Sequence, residues 1–170
     1  MKNYNEFLND NNPRVKITLE NGMEMVVELF SECAPITVKN FLDLVEAKFY
    51  NGLIFHRVIN NFMIQGGDPL GNGMGGTDNP IVGEFRSNGV KNDLSHTRGV
   101  ISMARTNRPN SASSQFFICH NDALFLDGQY AGFGALVEGF DTLDYVAGVS
   151  TNDEDEPLED VVMKLVERVR

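Results

Sequence analysis

The chain contains no tryptophan and only two cysteines, Cys33 and Cys119. Two widely separated thiols form neither a C-x-x-C pair nor a metal-ligand spacing, so a disulfide scaffold is excluded. Basic residues are scarce. Fourteen Lys and Arg stand against 24 Asp and Glu, leaving a net charge of −10. That balance argues against nucleic acid or an anionic membrane surface as the main partner. No apolar run reaches the roughly 18 residues of a membrane span. The opening residues are Asn-rich and lack the apolar core of a secretory signal, so a cytoplasmic protein is expected. The three histidines, His56, His96 and His120, include no close pair and no H-E-x-x-H. No metal site is expected from them. Ser113 and Ser114 have no adjacent base, and there is no G-x-S-x-G, so a serine hydrolase would need a constellation the sequence does not display.

What is present suits one globular domain. The 170 residues are 42% hydrophobic and 22% charged, a mixture that folds without staples. Residues 1–12 hold five Asn and read as a flexible lead-in, with a single domain over 13–170. Val15, Ile17 and Leu19 alternate with polar residues, as do Met23, Met25, Val27 and Leu29 beyond Asn21-Gly22. That is period 2 on both sides of a turn. All the apolar positions are odd, and cross-strand partners share a face, so paired numbers must sum to an even value. A two-residue loop would pair 20 with 23 and fails. A three-residue loop with left-handed Gly22 pairs Leu19 with Met23 and passes.

Pro35, Val38, Phe41, Leu42, Val45 and Phe49 carry helical spacing. Short apolar runs follow at Phe55–Val58, Met63–Gln65, Val100–Met103, Gln115–Ile118 and Phe133–Val137, separated by glycine turns. A second helix is expected over Phe140–Val146, with Asp141 as its N-cap and Gly148 as its stop. Asp153, Glu154, Asp155, Glu156, Glu159 and Asp160 read as a solvated acidic loop, since a calcium loop needs a central Gly that is absent. Val161 to Glu167 reads as a last strand. The sum is a mainly-β fold, a closed antiparallel barrel with helices over its ends.

Gly71-Asn72-Gly73-Met74-Gly75-Gly76 matches G-x-G-x-x-G, but Thr77-Asp78-Asn79-Pro80 cannot open the helix a dinucleotide site requires. It reads as a loop that lets backbone pass close to something. Parity is more informative. Arg57, Met63, Gln65, Gln115 and Phe117 fall on one alternating face, while Ile64, Phe116 and Ile118 fall on the other. An apolar face suits a barrel interior. A cation, two amides, a thioether and a ring on the outer face suit a shallow site with an apolar floor. His56 alternates with Arg57 and points away from that face.

Phe55-His56-Arg57-Val58-Ile59, Phe62-Met63-Ile64-Gln65-Gly66-Gly67-Asp68, Ile101-Ser102-Met103-Ala104, Ser114-Gln115-Phe116-Phe117-Ile118 and Leu126-Asp127-Gly128 together resemble the cyclophilin family of peptidyl-prolyl cis-trans isomerases, closest to its bacterial single-domain cytoplasmic members. The resemblance spans residues 13–170. It implies an eight-stranded antiparallel barrel capped by two α-helices, no cofactor and no metal, and a groove on the barrel's outer face. It implies that Arg57 acts on the prolyl nitrogen and that Gln65 positions Arg57 and the substrate carbonyl. Phe62, Met63, Phe117 and Leu126 match the proline pocket, while Ala104 and Gln115 match the stretch that holds the residues before the proline. Three positions depart from many eukaryotic members. Phe125 replaces a Trp that supports tight cyclosporin binding, so weak cyclosporin binding is expected. Tyr130 replaces a His, and Arg105 replaces an Asn whose backbone contacts substrate. The added cation would favour acidic residues near the proline. The expected partners are proline-containing peptides and folding proteins, met by a monomer. Two other readings fit less of the pattern: a proline-peptide binder with little turnover, and a carrier of small molecules in the barrel lumen.

Overall fold

A computed structural model describes all 170 residues, Met1–Arg170. Strands β1 (Arg14–Leu19) and β2 (Glu24–Leu29) form the first hairpin, pairing Ile17 with Met25 and Thr18 with Glu24. The Leu19 N–H donates to the Met23 carbonyl at 2.8 Å, and Gly22 sits at φ +88°. This is the three-residue loop that the parity of the apolar positions demanded. Gly22 is required there by its left-handed backbone alone, because no atom crowds the space a side chain would fill.

Helix α1 (Pro35–Glu46) begins on its proline and buries Thr37, Val38, Phe41 and Val45. Phe41 packs against the rings of Tyr50, Phe116 and Phe133 at centroid distances of 5.2–5.6 Å. These rings fill the interior, which removes the cavity a lumen carrier would need. Helix α2 (Phe140–Ala147) differs from expectation at its start: the N-cap is Gly139, at φ +90°, and Asp141 lies within the first turn. A side chain on residue 139 would collide with the Glu24 carbonyl on β2, so the chain can turn here only through glycine. Asp141 instead faces the helix's positive end.

The remaining strands are β3 (Arg57–Ile59), β4 (Met63–Gly66), β5 (Val100–Met103), β6 (Phe116–Cys119), β7 (Gly132–Glu138) and β8 (Met163–Arg168). All paired strands run antiparallel, in the order β3-β4-β6-β5-β7-β2-β1-β8. The closed barrel expected from the sequence is corrected here: β3 and β8 share no ladder, and the curled sheet is not fully closed. β3 is only three residues long, and it pairs with β4 alone. The gap is spanned by the residues before it, through Gly52 N–H to Met163 O, Met163 N–H to Leu53 O and Phe55 N–H to Val161 O, at 2.7–3.0 Å. The free edge of β3 is covered by the acidic loop, whose Asp155 carbonyl accepts the Val58 N–H at 2.8 Å.

Residues 1–12, expected as a flexible lead-in, lie packed against the sheet. Lys2 bridges to Leu94, and Phe7 is buried against Phe30 with ring centroids 5.7 Å apart. Asn9 N–H and Asn12 Nδ2 both donate to Glu28 Oε2 at 3.0 Å. Oε1 of the same buried carboxylate accepts from Arg14 Nε at 3.0 Å and Arg170 Nη2 at 2.9 Å. One apolar ring and one carboxylate thus hold down a segment whose composition alone looks unstructured.

Candidate active site

The β3-β4-β6-β5 ladder assembles one outward face. Arg57 lies opposite Gln65, Gln65 opposite Phe117, and Phe117 opposite Ser102. Met63 and Phe117 point away from the main core and join Cys119, Ala123 and Leu126 in a separate small apolar cluster. Above that cluster is a shallow cavity of about 160 Å³, lined by 9 residues: Arg57, Phe62, Met63, Gln65, Ala104, Arg105, Phe117, Leu126 and Tyr130. All nine were singled out in the sequence. The Tyr130 ring stands edge-on to Phe117 at 5.9 Å.

The other two singled-out residues lie at the margins. Phe125 is exposed and leans on Phe62 at 5.6 Å, forming a rim outside the cavity's lining. Gln115 lines an adjoining cavity of about 290 Å³ with Ala104, Ser113 and the glycine-rich loop. A chain of amides links the two cavities. Arg57 Nη1 donates to Gln65 Oε1 at 3.4 Å, Gln65 Nε2 donates to Gln115 Oε1 at 3.0 Å, and Gln115 Nε2 donates to the carbonyls of Gly73 and Gly75 at 3.0 and 2.8 Å. The glycine-rich loop is held from below by the Asp68 carboxylate, which accepts N–H groups of Leu70, Asn72 and Gly73. Burial works to raise that carboxyl's pKa, but these donors outweigh it and hold the group below its ordinary value. The loop's N–H groups are therefore turned to Asp68, away from any phosphate.

The two arginines in the lining differ. Arg57 is exposed and makes no ion pair with any carboxylate of the chain. Arg105 is tied down. It donates to the Gln129 carbonyl at 2.8 and 3.2 Å and to Thr106 O at 2.9 Å, and it stacks over Phe85 and Tyr130 at 4.9 and 4.6 Å.

Sequence reading missed the support beneath Phe117. His96 is buried, with Nδ1 2.9 Å from Asp127 Oδ1 and Nε2 2.8 Å from Ser102 Oγ, and its ring stacks on Phe117 at 6.2 Å. Burial lowers the His96 pKa against the pull of Asp127, so the ring is neutral, and the geometry assigns its proton to Nδ1. The order Ser-His-Asp is that of a hydrolase triad. Ser102, however, is fully buried beneath the Phe117 ring, where no acyl group can reach it. The only signal in the sequence was a lone hydroxyl in the apolar run Val-Ile-Ser-Met. Both cysteines are free and buried, and burial pushes both thiols up to about 12, away from the reactive thiolate.

The comparisons with known proteins agree with this architecture. The family model described as cyclophilin type peptidyl-prolyl cis-trans isomerase/CLD matches residues 14–168. Peptidyl-prolyl cis-trans isomerase B of Escherichia coli is 44% identical over 160 residues, covering 86% of this chain and 94% of that protein. A putative bifunctional phosphatase/peptidyl-prolyl cis-trans isomerase of Streptococcus pyogenes is 38% identical over 94% of this chain, which spans only 39% of that longer relative. Among solved structures, a Cryptosporidium parvum cyclophilin type peptidyl-prolyl cis-trans isomerase superposes with a TM-score of 0.86 at 33% identity, covering 94% of this chain and 98% of its own. The same protein in the presence of the dipeptide Ala-Pro gives a TM-score of 0.83 at 34% identity, covering 91% and 97%. The chain belongs to the cyclophilin-type peptidyl-prolyl cis-trans isomerases.

Proposed function

We propose that the cavity over Met63, Phe117 and Leu126 receives a prolyl ring and that Arg57 accelerates rotation about the preceding amide. An amide resists rotation by about 18–20 kcal/mol because its nitrogen lone pair is delocalised. At the twisted midpoint the lone pair returns to nitrogen, so a donor aimed there binds the transition state better than either planar isomer. Arg57 is such a donor, permanently charged and unclaimed by any carboxylate. That freedom, at the rim of an apolar hollow, is the observation that carries the reading. A second contribution comes from the medium. The twisted amide is less dipolar than the planar one, so a dry floor of Met63, Phe117 and Leu126 favours it. No bond is made or broken, and the reaction asks for no nucleophile or cofactor.

Gln65 steadies the Arg57 guanidinium from one side and reaches the substrate carbonyl from the other, while Ala104, Gln115 and the glycine-rich loop hold the residues before the proline. The crystal structure of a relative in the presence of Ala-Pro supports a proline-containing ligand. The natural substrates are then exposed Xaa-Pro segments of folding or flexible proteins. Phe125, in place of Trp, leaves cyclosporin binding weak. A charge-assisted hydrogen bond contributes about 1.5–3 kcal/mol, or roughly 10- to 150-fold in rate. Arg57→Ala is therefore expected to lower kcat/KM for an Xaa-Pro peptide by at least about tenfold while changing its Kd less than about threefold. Equal losses in rate and affinity would instead describe a binding module without a catalytic arginine.

A further inference from the structure

Phe62 stands at the end of the turn that joins β3 to β4. The turn closes through Phe62 N–H to Ile59 O at 3.0 Å, and Asn61 within it adopts φ +65°, a left-handed backbone that Asn tolerates better than most residues. The Asn61 N–H takes no part in that closing bond. His120, the residue after β6, accepts it: Nδ1 lies 2.8 Å from the Asn61 nitrogen. The His120 backbone N–H donates to Phe62 O at 2.9 Å. One residue thus grips the turn at both 61 and 62.

The far side of the ring is also engaged. A backbone N–H can only donate, so Nδ1 is the acceptor and the geometry assigns the ring proton to Nε2. There it meets Asp144 Oδ1 of α2 at 2.9 Å. Asp144 in turn accepts from Arg98 Nη1 and Nη2 at 2.8 and 3.0 Å, and Arg98 Nη1 also donates to His120 O at 3.0 Å. Donation from Arg98, and after it from His120, holds the Asp144 carboxyl below its ordinary value, so an anion faces Nε2 near neutrality. That anion favours the tautomer with a free Nδ1 lone pair, the opposite of the one in His96.

The strand just before His120 carries Phe117. The clip therefore ties Phe62 to the element that bears Phe117, and both rings line the proline cavity. The geometry points to His120 as a positioning residue of the isomerase: its Nδ1 holds the 59–62 turn where Phe62 completes the cavity. The inference rests on the function proposed above. Without the clip the turn samples other positions, a fraction of the molecules presents a complete cavity, and apparent affinity falls by that fraction. Turnover of the bound peptide depends on Arg57 and is unchanged.

The test compares His120→Ala, His120→Asn and His120→Gln in the full chain. Asn Oδ1 takes the place of the imidazole Nδ1, whereas the Gln amide takes the place of Nε2. Exchange between isomers of a peptide containing Ala-Pro is followed by NMR, which yields kcat and KM separately. His120→Ala and His120→Gln lack the acceptor and raise KM about threefold to tenfold, with kcat within about twofold of wild type. His120→Asn brings KM back to within about twofold of wild type. An Asn variant as weak as Ala, an Ala or Gln variant with wild-type KM, or a protonated Nδ1 in the imidazole nitrogen spectrum of the wild type overturns the inference. Phe62→Ala tests the underlying reading apart from His120: an unchanged KM there overturns the placement of the prolyl ring in this cavity.

Discussion

The hydroxyl of Ser102 contributes through what it holds still. It meets His96 Nε2 at 2.8 Å, His96 is clamped by Asp127, and the imidazole lies flat beneath Phe117, the ring that lines the proposed proline cavity. Ser102→Ala would leave a buried nitrogen without a partner, at a cost of about 1–3 kcal/mol. Urea unfolding measures it directly; a loss below about 0.5 kcal/mol would mean that His96 finds water or another donor. At this scale the sequence was legible where chemistry and alternation coincide. Arg57, Met63, Gln65 and Phe117 fall on one face because strand side chains alternate, whatever the rest of the fold does. Ala104, Arg105, Leu126 and Tyr130 have no such local signature, and only the resemblance to a known family brought them forward. His96 and Asp127 remained hidden because tertiary packing brings them together from 31 positions apart. The acidic selectivity expected of Arg105 meets a physical obstacle: its guanidinium already donates to the Gln129 and Thr106 carbonyls.

Among the elements, the first hairpin was readable to the register, since one parity rule and one glycine left a single solution. The start of α2 was not, because the clash that demands Gly139 comes from the Glu24 carbonyl on a distant strand. The N-terminal strap shows the same limit from the other direction. Glu28 alternates with the inward residues of β2 and so reads as exposed, yet the strap and Arg170 cover it completely. Burial would raise its carboxyl, but hydrogen bonds from Asn12, Asn9 and Arg14, with the Arg14 charge, hold it below the ordinary 4.5. The unfolded chain therefore takes up a proton first as pH falls. The stability this group contributes is present in full above its ordinary value and drains away as pH drops toward the folded one. Glu28→Gln should cost about 1.5–3 kcal/mol near pH 7, the range for hydrogen bonds to a charged group. The gap in urea midpoint between wild type and variant should hold near pH 6 and narrow as pH falls from about 5 to 3. A gap independent of pH would show that the charge of Glu28 contributes nothing.

For the molecule as a whole, the curled sheet has one discontinuity, between β3 and β8, joined by three backbone hydrogen bonds from residues 52–55. Every other neighbouring pair shares a ladder, three of them with a bulge: β1-β8, β2-β7 and β5-β7. Opening energies follow how many such bonds must break together. In native-state hydrogen exchange, the amides of Gly52, Phe55 and Met163 should lose protection before those of the β1-β2 and β2-β7 ladders. Protection equal to those ladders would mean that the join is as firm as the rest of the wall.

That join lies two positions from Arg57 in the chain. Each time the stitching slackens, the strand that presents the guanidinium loses its mooring on one side and keeps only β4 and the acidic loop. The strand that presents the proposed catalytic guanidinium is thus the one expected to open before the rest of the sheet, and a peptide gripping β3 and β4 together would act as the missing thread.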